Sequence, residues 1–174
     1  MNPSDADLVA RVLAYDDRRA YAALVRRHQS AIRNLLRRLC AGDAARADDL
    51  AQETFLLAYR RLASFRGDAL LSTWLHRIAW NAFLSGARRR SAPEPPPPDP
   101  TAPIERADAR HDLSRAFAAL RDEERAALAL AYGEELTHEE AAEILGWPLG
   151  TLKTHLARGK EKLRQHLAPP KEVS

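Results

Sequence analysis

The sequence predicts an all-α protein: two small helical domains joined by a proline-rich linker, the second containing a helix-turn-helix. Three observations predict it. Apolar residues recur at steps of three, four and seven through most of the 174 residues, the spacing that keeps one side of a helix turned inward. Residues 91–103, SAPEPPPPDPTAP, suit neither helix nor sheet, because proline lacks the amide donor and fixes its own torsion. Residues 136–167 carry a helix stop and restart within a few positions. No strand candidate or internal repeat stands out, and the expected boundaries are residues 1–90, 91–104 and 105–170.

Over residues 5–39, Leu8, Val12, Leu13, Tyr21, Leu24, Val25, Ile32, Leu35, Leu36 and Leu39 keep helical spacing with arginines on the outer face, predicting two or three helices. Gly42 and Asp43 break the pattern. Asp48 and Asp49 are expected to open the next helix, residues 48–62, with their charge at its positive end. Leu50, Phe55, Leu57, Ala58, Tyr59 and Leu62 need burial on more than one side. Asp49, Gln52 and Glu53 cluster on the remaining face, which is either simply solvated or hydrogen-bonds a partner.

Residues 64–72, SFRGDALLS, read as an ordered loop before a helix over 73–90. Trp74, Leu75, Ile78, Ala79 and Leu84 suit the interior of that lobe. His76, Arg77, Trp80, Asn81, Arg88, Arg89 and Arg90 mix cationic, aromatic and amide groups, which suits single-stranded DNA, since bases stack on aromatics while arginines hold phosphates, although most of the aromatics suit the core equally well. The proline run that follows is expected to be extended at roughly 3 Å per residue and to keep two independently folding lobes apart. Glu94 and Asp99 make it acidic.

In the second domain Leu113, Phe117, Leu120, Leu128, Leu130 and Tyr132 supply supporting apolar faces, and Asp122, Glu123 and Glu124 open a helix. Thr137 caps the next one and forms a capping box with Glu140. Ala141, Ala142 and Leu145 give it a small-residue face open to close approach, Gly146 ends it, and Pro148 allows the following helix to start after a turn of about three residues. Leu149, Leu152, Leu156 and Leu163 form the inward stripe of that second helix. Thr151, Lys153, Thr154, His155 and Arg158 occupy the outer side of its N-terminal half, the end that a recognition helix presents to base edges in the major groove. Lys160, Lys162 and Arg164 continue the positive charge.

The net charge of +3 conceals a division. Residues 1–90 hold 16 Lys or Arg against 9 acids, residues 91–148 hold 5 against 13, and residues 149–174 hold 6 against 2. Two basic blocks around an acidic middle suit a chain that meets a polyanion at both ends and something else at its centre. No apolar run approaches the roughly 20 residues that span a bilayer, and the N-terminus has no signal-peptide core, so no membrane insertion and a cytoplasmic location are expected. The single cysteine, Cys40, excludes an intramolecular disulfide and reads as a small buried group. Six scattered histidines lack metal-ligand spacing, and there is no phosphate-binding glycine loop or nucleophile motif. Ser85-Gly86 lacks the preceding strand of a hydrolase elbow. Neither an enzyme nor a cofactor or metal site is expected.

In this order the blocks resemble a bacterial RNA polymerase sigma factor of the compact extracytoplasmic-function group. DDLAQETFLLAYRRL at 48–62 resembles the family helix that docks on the polymerase clamp, FRGDALLSTWLHRIAWN at 65–81 the segment that opens and reads the minus-ten element, and LTHEEAAEILGWPLGTLKTHLARGKEKL the minus-thirty-five reader. The resemblance implies clamp binding by Asp49, Gln52, Glu53 and Phe55. It implies capture or support of an unstacked base by Phe65 and Asn81, and major-groove contacts by Lys153, Thr154, His155 and Arg158. It also implies core RNA polymerase, promoter DNA and an anti-sigma factor as partners, and a linker threading the polymerase towards the RNA channel. The chain departs from the family pattern at Trp80, Ser85 and His155, which bear on DNA contacts, and at Gly159, where Ala is usual and Gly costs up to about 1 kcal/mol of helix stability. The alternative is a stand-alone helix-turn-helix regulator, which leaves the clamp-like helix and the tryptophan-rich helix without a purpose.

Overall fold

A computed structural model describes residues 3–88 in full, the backbone of 89 and 90, and residues 115–167. The linker expected at 91–104 and the apolar position Leu113 lie outside the described residues. All regular structure among those described is helical. The first lobe comprises α1 (Asp5–Tyr15), α2 (Arg18–Leu39), α3 (Ala44–Arg61), a 3₁₀ turn (Leu62–Ser64) and α4 (Leu71–Arg90). In the second, a helical turn at 115–118 precedes α5 (Asp122–Leu128), a π-helical stretch (Ala129–Gly133), α6 (His138–Leu145) and α7 (Leu149–Leu167).

Local chemistry accounts for most helix ends. Ser4 opens α1 through a capping box with Asp7, and the Asp17 carboxylate accepts from the Arg19 and Ala20 amides at the start of α2. The third helix begins four residues before Asp48, because the Asp43 carboxylate caps it by accepting from the Arg46 amide at 3.0 Å. Asp48 and Asp49 therefore sit in its second turn. This corrects the expectation that they open it: a free N-cap carboxylate satisfies an orphan amide, and the chain uses the first one it meets.

Leu24, Ile32, Leu35, Leu36 and Leu39 from α2 are buried against α3 and α4, with Phe83 1% exposed among them. Cys40 is buried at the end of α2. Burying a side chain of this size is worth about 1.5–3 kcal/mol, so α2 is the spine of the lobe. In the second lobe α5 and α7 cross closely. A Cβ on Gly159 would lie 2.7 Å from Leu128 Cδ1 and 3.4 Å from Glu124 Cβ. The glycine that costs α7 helix propensity thus admits α5, and adding a methyl group there would force Leu128 out of its place.

The two lobes, expected to stand apart, are packed against each other. α4 meets α6, and α2 meets both α5 and the π-helical stretch, so that the buried apolar residues of both lobes form one continuous set. The Arg125 guanidinium, 8% exposed, donates to the Leu39 carbonyl at the end of α2 at 2.6 Å, and to Phe117 and Leu120 carbonyls at 3.1 and 2.8 Å. Arg38 pairs with Glu134 at 2.7 Å and Arg77 with Glu143 at 3.2 Å. The acidic middle of the sequence therefore meets the basic first lobe of its own chain, which the proline-rich linker did not suggest.

Candidate nucleic-acid interface

The helix-turn-helix forms from the residues that predict it. Thr137 Oγ1 accepts from the Glu140 amide at 3.2 Å while the Glu140 carboxylate accepts from the Thr137 amide at 2.8 Å. Donation to the Glu140 carboxylate from the Thr137 amide first, and then from the Thr137 hydroxyl at 2.8 Å, holds that carboxyl below its ordinary range. Gly146 takes φ +69, the left-handed conformation that ends α6. Leu152 and Leu156 anchor α7 inward, with Leu149 and Leu163 half-buried beside them.

On the outer side of α7, Thr151, Lys153, Thr154 and Arg158 are exposed. Thr154 Oγ1 donates back to the Gly150 carbonyl at 2.9 Å, so its hydroxyl is partly engaged. His155 differs from its neighbours. It is half-buried against the Trp147 ring, centroids 5.0 Å apart, and its Nδ1 is buried without a hydrogen-bond partner among the described residues.

Underneath α7, Lys162 reaches Glu124, 2% exposed, with Nζ 2.7 Å from Oε2. Burial opposes ionisation of this carboxyl most strongly, yet the Lys162 ammonium and the Arg121 amide outweigh it and hold Glu124 below the usual carboxylate range. Lys162→Met is expected to cost roughly 2 kcal/mol near neutral pH, discounted because the ammonium is partly exposed. The depressed folded pKa of the parent gives stability that is present above the unfolded value and lost as pH falls through the folded one. Without the Lys162 ammonium the folded pKa is higher than in the parent, so the deficit of the variant should shrink as the pH falls through the carboxylate range. Urea melts at pH 7 and pH 4 check this; an equal deficit at both would contradict it.

In the first lobe α4 divides the predicted single-strand residues between two sides. Arg77, Asn81 and Arg88 fall on one exposed side, at steps of four and seven. His76 and Trp80, placed with them by the sequence, are instead 4% exposed and face the second lobe. Trp80 stacks on Phe83 at 5.7 Å and meets Trp147 edge-on at 6.0 Å. The correction has a simple cause: His76, Trp80 and Phe83 form an i, i+4, i+7 stripe, and α6 supplies the cover. The side chains of Arg89 and Arg90 lie outside the described residues.

Phe65 follows the 3₁₀ turn and is half-buried, 5.4 Å from Trp74 between ring centroids. Phe65, Gly67, Thr73, Trp74 and Arg77 line a pocket of about 280 Å³, with Glu143 of α6 as a further wall. Asn81 does not line it.

Asp49 and Gln52 are exposed on α3, and Glu53 and Phe55 are half-buried. Between α2 and α3 runs an apolar groove of about 530 Å³ lined by Tyr21, Val25, Gln52, Phe55, Leu56 and Tyr59 among others, with Leu56 60% exposed. The Tyr21 hydroxyl donates to the Phe55 carbonyl, and burial pushes its pKa up to about 12. The sequence missed Leu56 and Tyr21 as parts of this surface; the available signal was a leucine at 56 beside Leu57, more apolar side chains than one buried face of the helix holds.

Fold and site together define a two-lobed helix-turn-helix protein with a basic outer recognition face. Residues 24–92 match the family model of sigma-70 region 2, and residues 110–163 that of sigma-70 region 4. The chain is 34% identical over 185 aligned residues to the RNA polymerase sigma-H factor of Pseudomonas aeruginosa, covering 95% of this chain and 94% of that one. It is 37% identical over 171 residues to the ECF RNA polymerase sigma factor SigM of Mycobacterium tuberculosis, covering 94% and 85%. Two solved structures share the fold at 24% identity. One is the sigma factor RpoE with the anti-sigma factor NepR from Bartonella quintana, with a TM-score of 0.71 and coverage of 84% of this chain and 96% of that one. The other is CnrH with the cytosolic domain of CnrY, with a TM-score of 0.69 and coverage of 94% and 96%. The chain belongs to the sigma-70 family of RNA polymerase sigma factors, in its extracytoplasmic-function group. Among the described residues no helix is long and apolar enough to cross a membrane.

Proposed function

We propose that the protein binds core RNA polymerase and directs promoter-specific initiation, with residues 1–90 engaging the polymerase clamp and the minus-ten element and residues 105–170 reading the minus-thirty-five element. The observation that carries this reading is the pairing, in one lobe, of an apolar groove beside Gln52 and Phe55 with a separate pocket holding Phe65 and Arg77. A protein partner and an unstacked base need different surfaces, and the lobe has both. A stand-alone regulator would use α7 but leaves the region-2 match at residues 24–92 unexplained.

Asp49, Gln52, Glu53 and Phe55 are the proposed clamp contacts. Phe65, Arg77, Asn81 and Arg88 are the proposed minus-ten contacts, with His76 and Trp80 available only when the lobes part. Thr151, Lys153, Thr154, His155 and Arg158 are the proposed major-groove set. An anti-sigma factor is the proposed inhibitor, since the sigma factor RpoE, which shares this fold, was determined with the anti-sigma factor NepR.

Replacing Gln52 and Glu53 together with Ala is expected to weaken binding to core polymerase about tenfold or more, with helical content unchanged, because Gln52 is exposed and Glu53 only half-buried. Titration of labelled protein against core enzyme, beside circular dichroism, measures both. Loss of folded structure would make these residues structural, and unchanged affinity would remove them from the docking face.

A further inference from the structure

We propose that the groove between α5 and α7 seats a backbone phosphate of duplex DNA between Arg121 and Lys162, beside the base-reading Arg158, so that Arg121 adds to promoter affinity without reading sequence. The inference rests on the assignment of α7 to major-groove reading. The groove has a volume of about 560 Å³ and is lined by Arg121 and Glu124 on one side and by Arg158, Lys162 and Gln165 of α7 on the other. Its α7 wall continues the recognition face. Thr151, Thr154, Arg158 and Gln165 follow at steps of three, four and seven, which keeps them on one side of the helix, and all four are exposed. At 1.5 Å of rise per residue the groove extends roughly 10 Å beyond Arg158. A duplex whose base edges meet the first half of α7 therefore carries a flanking strand past the groove.

The cations are in place before DNA arrives. Glu124, 2% exposed, accepts from Lys162 Nζ on both carboxylate oxygens, at 2.9 and 2.7 Å. An ammonium has three N–H donors, so one remains for the groove, where the Lys162 side chain is 37% exposed. The Arg121 amide also donates to Glu124, at 3.0 Å, and its guanidinium helps to keep that carboxyl ionised. A buried carboxylate thus fixes one cation at the floor and favours a second at the rim. Glu161, the other acid of the lining, is engaged along its own helix by Arg164 and, at 3.0 Å, by Gln165 Nε2. Arg121 and Arg158 are exposed, and neither forms an ion pair among the described residues. A free guanidinium can meet a phosphate through two parallel bonds, and such a contact fixes register on the duplex but carries no sequence information.

The test measures duplex binding by the full-length chain, alone and with core polymerase, over a salt range of about 50 to 200 mM. Loss of one phosphate contact makes the plot of log affinity against log salt shallower by about 0.9, so the deficit of Arg121→Ala should be about threefold greater at the low end of the range than at the high end. The deficit should be the same on a duplex with its minus-thirty-five element scrambled, whereas Arg158→Ala should lose preference for the intact element. Arg121→Lys should restore the slope. Arg19→Ala, which removes an exposed charge from the first lobe, should leave it unchanged. A slope unaltered by Arg121→Ala, or altered as much by Arg19→Ala, would overturn the phosphate seat. So would weaker binding of Arg121→Ala to core polymerase with duplex binding intact, which would assign the groove to an acidic protein face. The sigma reading is judged separately on the parent: no preference for promoter over scrambled duplex in the presence of core polymerase sinks that reading, while the Arg121 slope is still read on the chain alone.

Discussion

Arg125→Met is expected to destabilise the protein by about 3 kcal/mol and to lower its melting temperature by roughly 10 °C, because a side chain of similar length would leave three buried acceptors without their donor. The guanidinium serves the Leu39 carbonyl at the end of α2 and the Phe117 and Leu120 carbonyls in its own lobe. Helix ends carry orphan carbonyls, and a planar group with five donors satisfies several at once where a lysine could not. Differential scanning calorimetry measures the loss. A change under about 2 °C would mean that water replaces the guanidinium and that the contact with Leu39 contributes little to holding the lobes together.

The other large effect separates the two DNA-reading lobes. Arg158→Ala should weaken binding to promoter duplex by about 1–3 kcal/mol, the worth of one good base contact, because Arg158 is exposed on the outer side of α7. Asn81→Ala should leave recruitment to duplex intact but impair strand opening, since stacking and capture of an unpaired base contribute on the order of 1–3 kcal/mol per base only once the strand is free. Permanganate footprinting of melted thymines, beside duplex binding at one fixed salt concentration, distinguishes them. If Asn81→Ala behaved normally in both assays, the assignment of Asn81 would fail.

What could be read in the sequence was what neighbours along the chain decide. The Thr137–Glu140 capping box, the left-handed Gly146 and the leucine stripe of α7 join residues within a turn or two of each other, and each has the form its residue types require. The start of α3 was misplaced because two plausible caps, Asp43 and the Asp48-Asp49 pair, stand five residues apart, and only the first hydrogen-bonds an N-terminal amide. The π-helical stretch at Ala129–Gly133 has no sequence signature.

Trp80 and His76 were unreadable for a different reason. Their side of α4 is polar enough to face DNA, and its cover comes from α6 and the Glu134 turn, more than fifty residues along the chain, so helical periodicity held no trace of it. The same applies to Gly159, which local propensity marks as a weakness and the α5 crossing makes a requirement.

The most direct measurement of the central claim is transcription from genomic DNA by purified core RNA polymerase with and without this protein, followed by mapping of start sites. The account predicts discrete start sites that appear only when the protein is added and share two upstream elements at constant spacing. It also predicts their loss with the Gln52/Glu53 double replacement. Start sites indistinguishable from those of core polymerase alone, with the protein bound to duplex DNA but not to the polymerase, would contradict it.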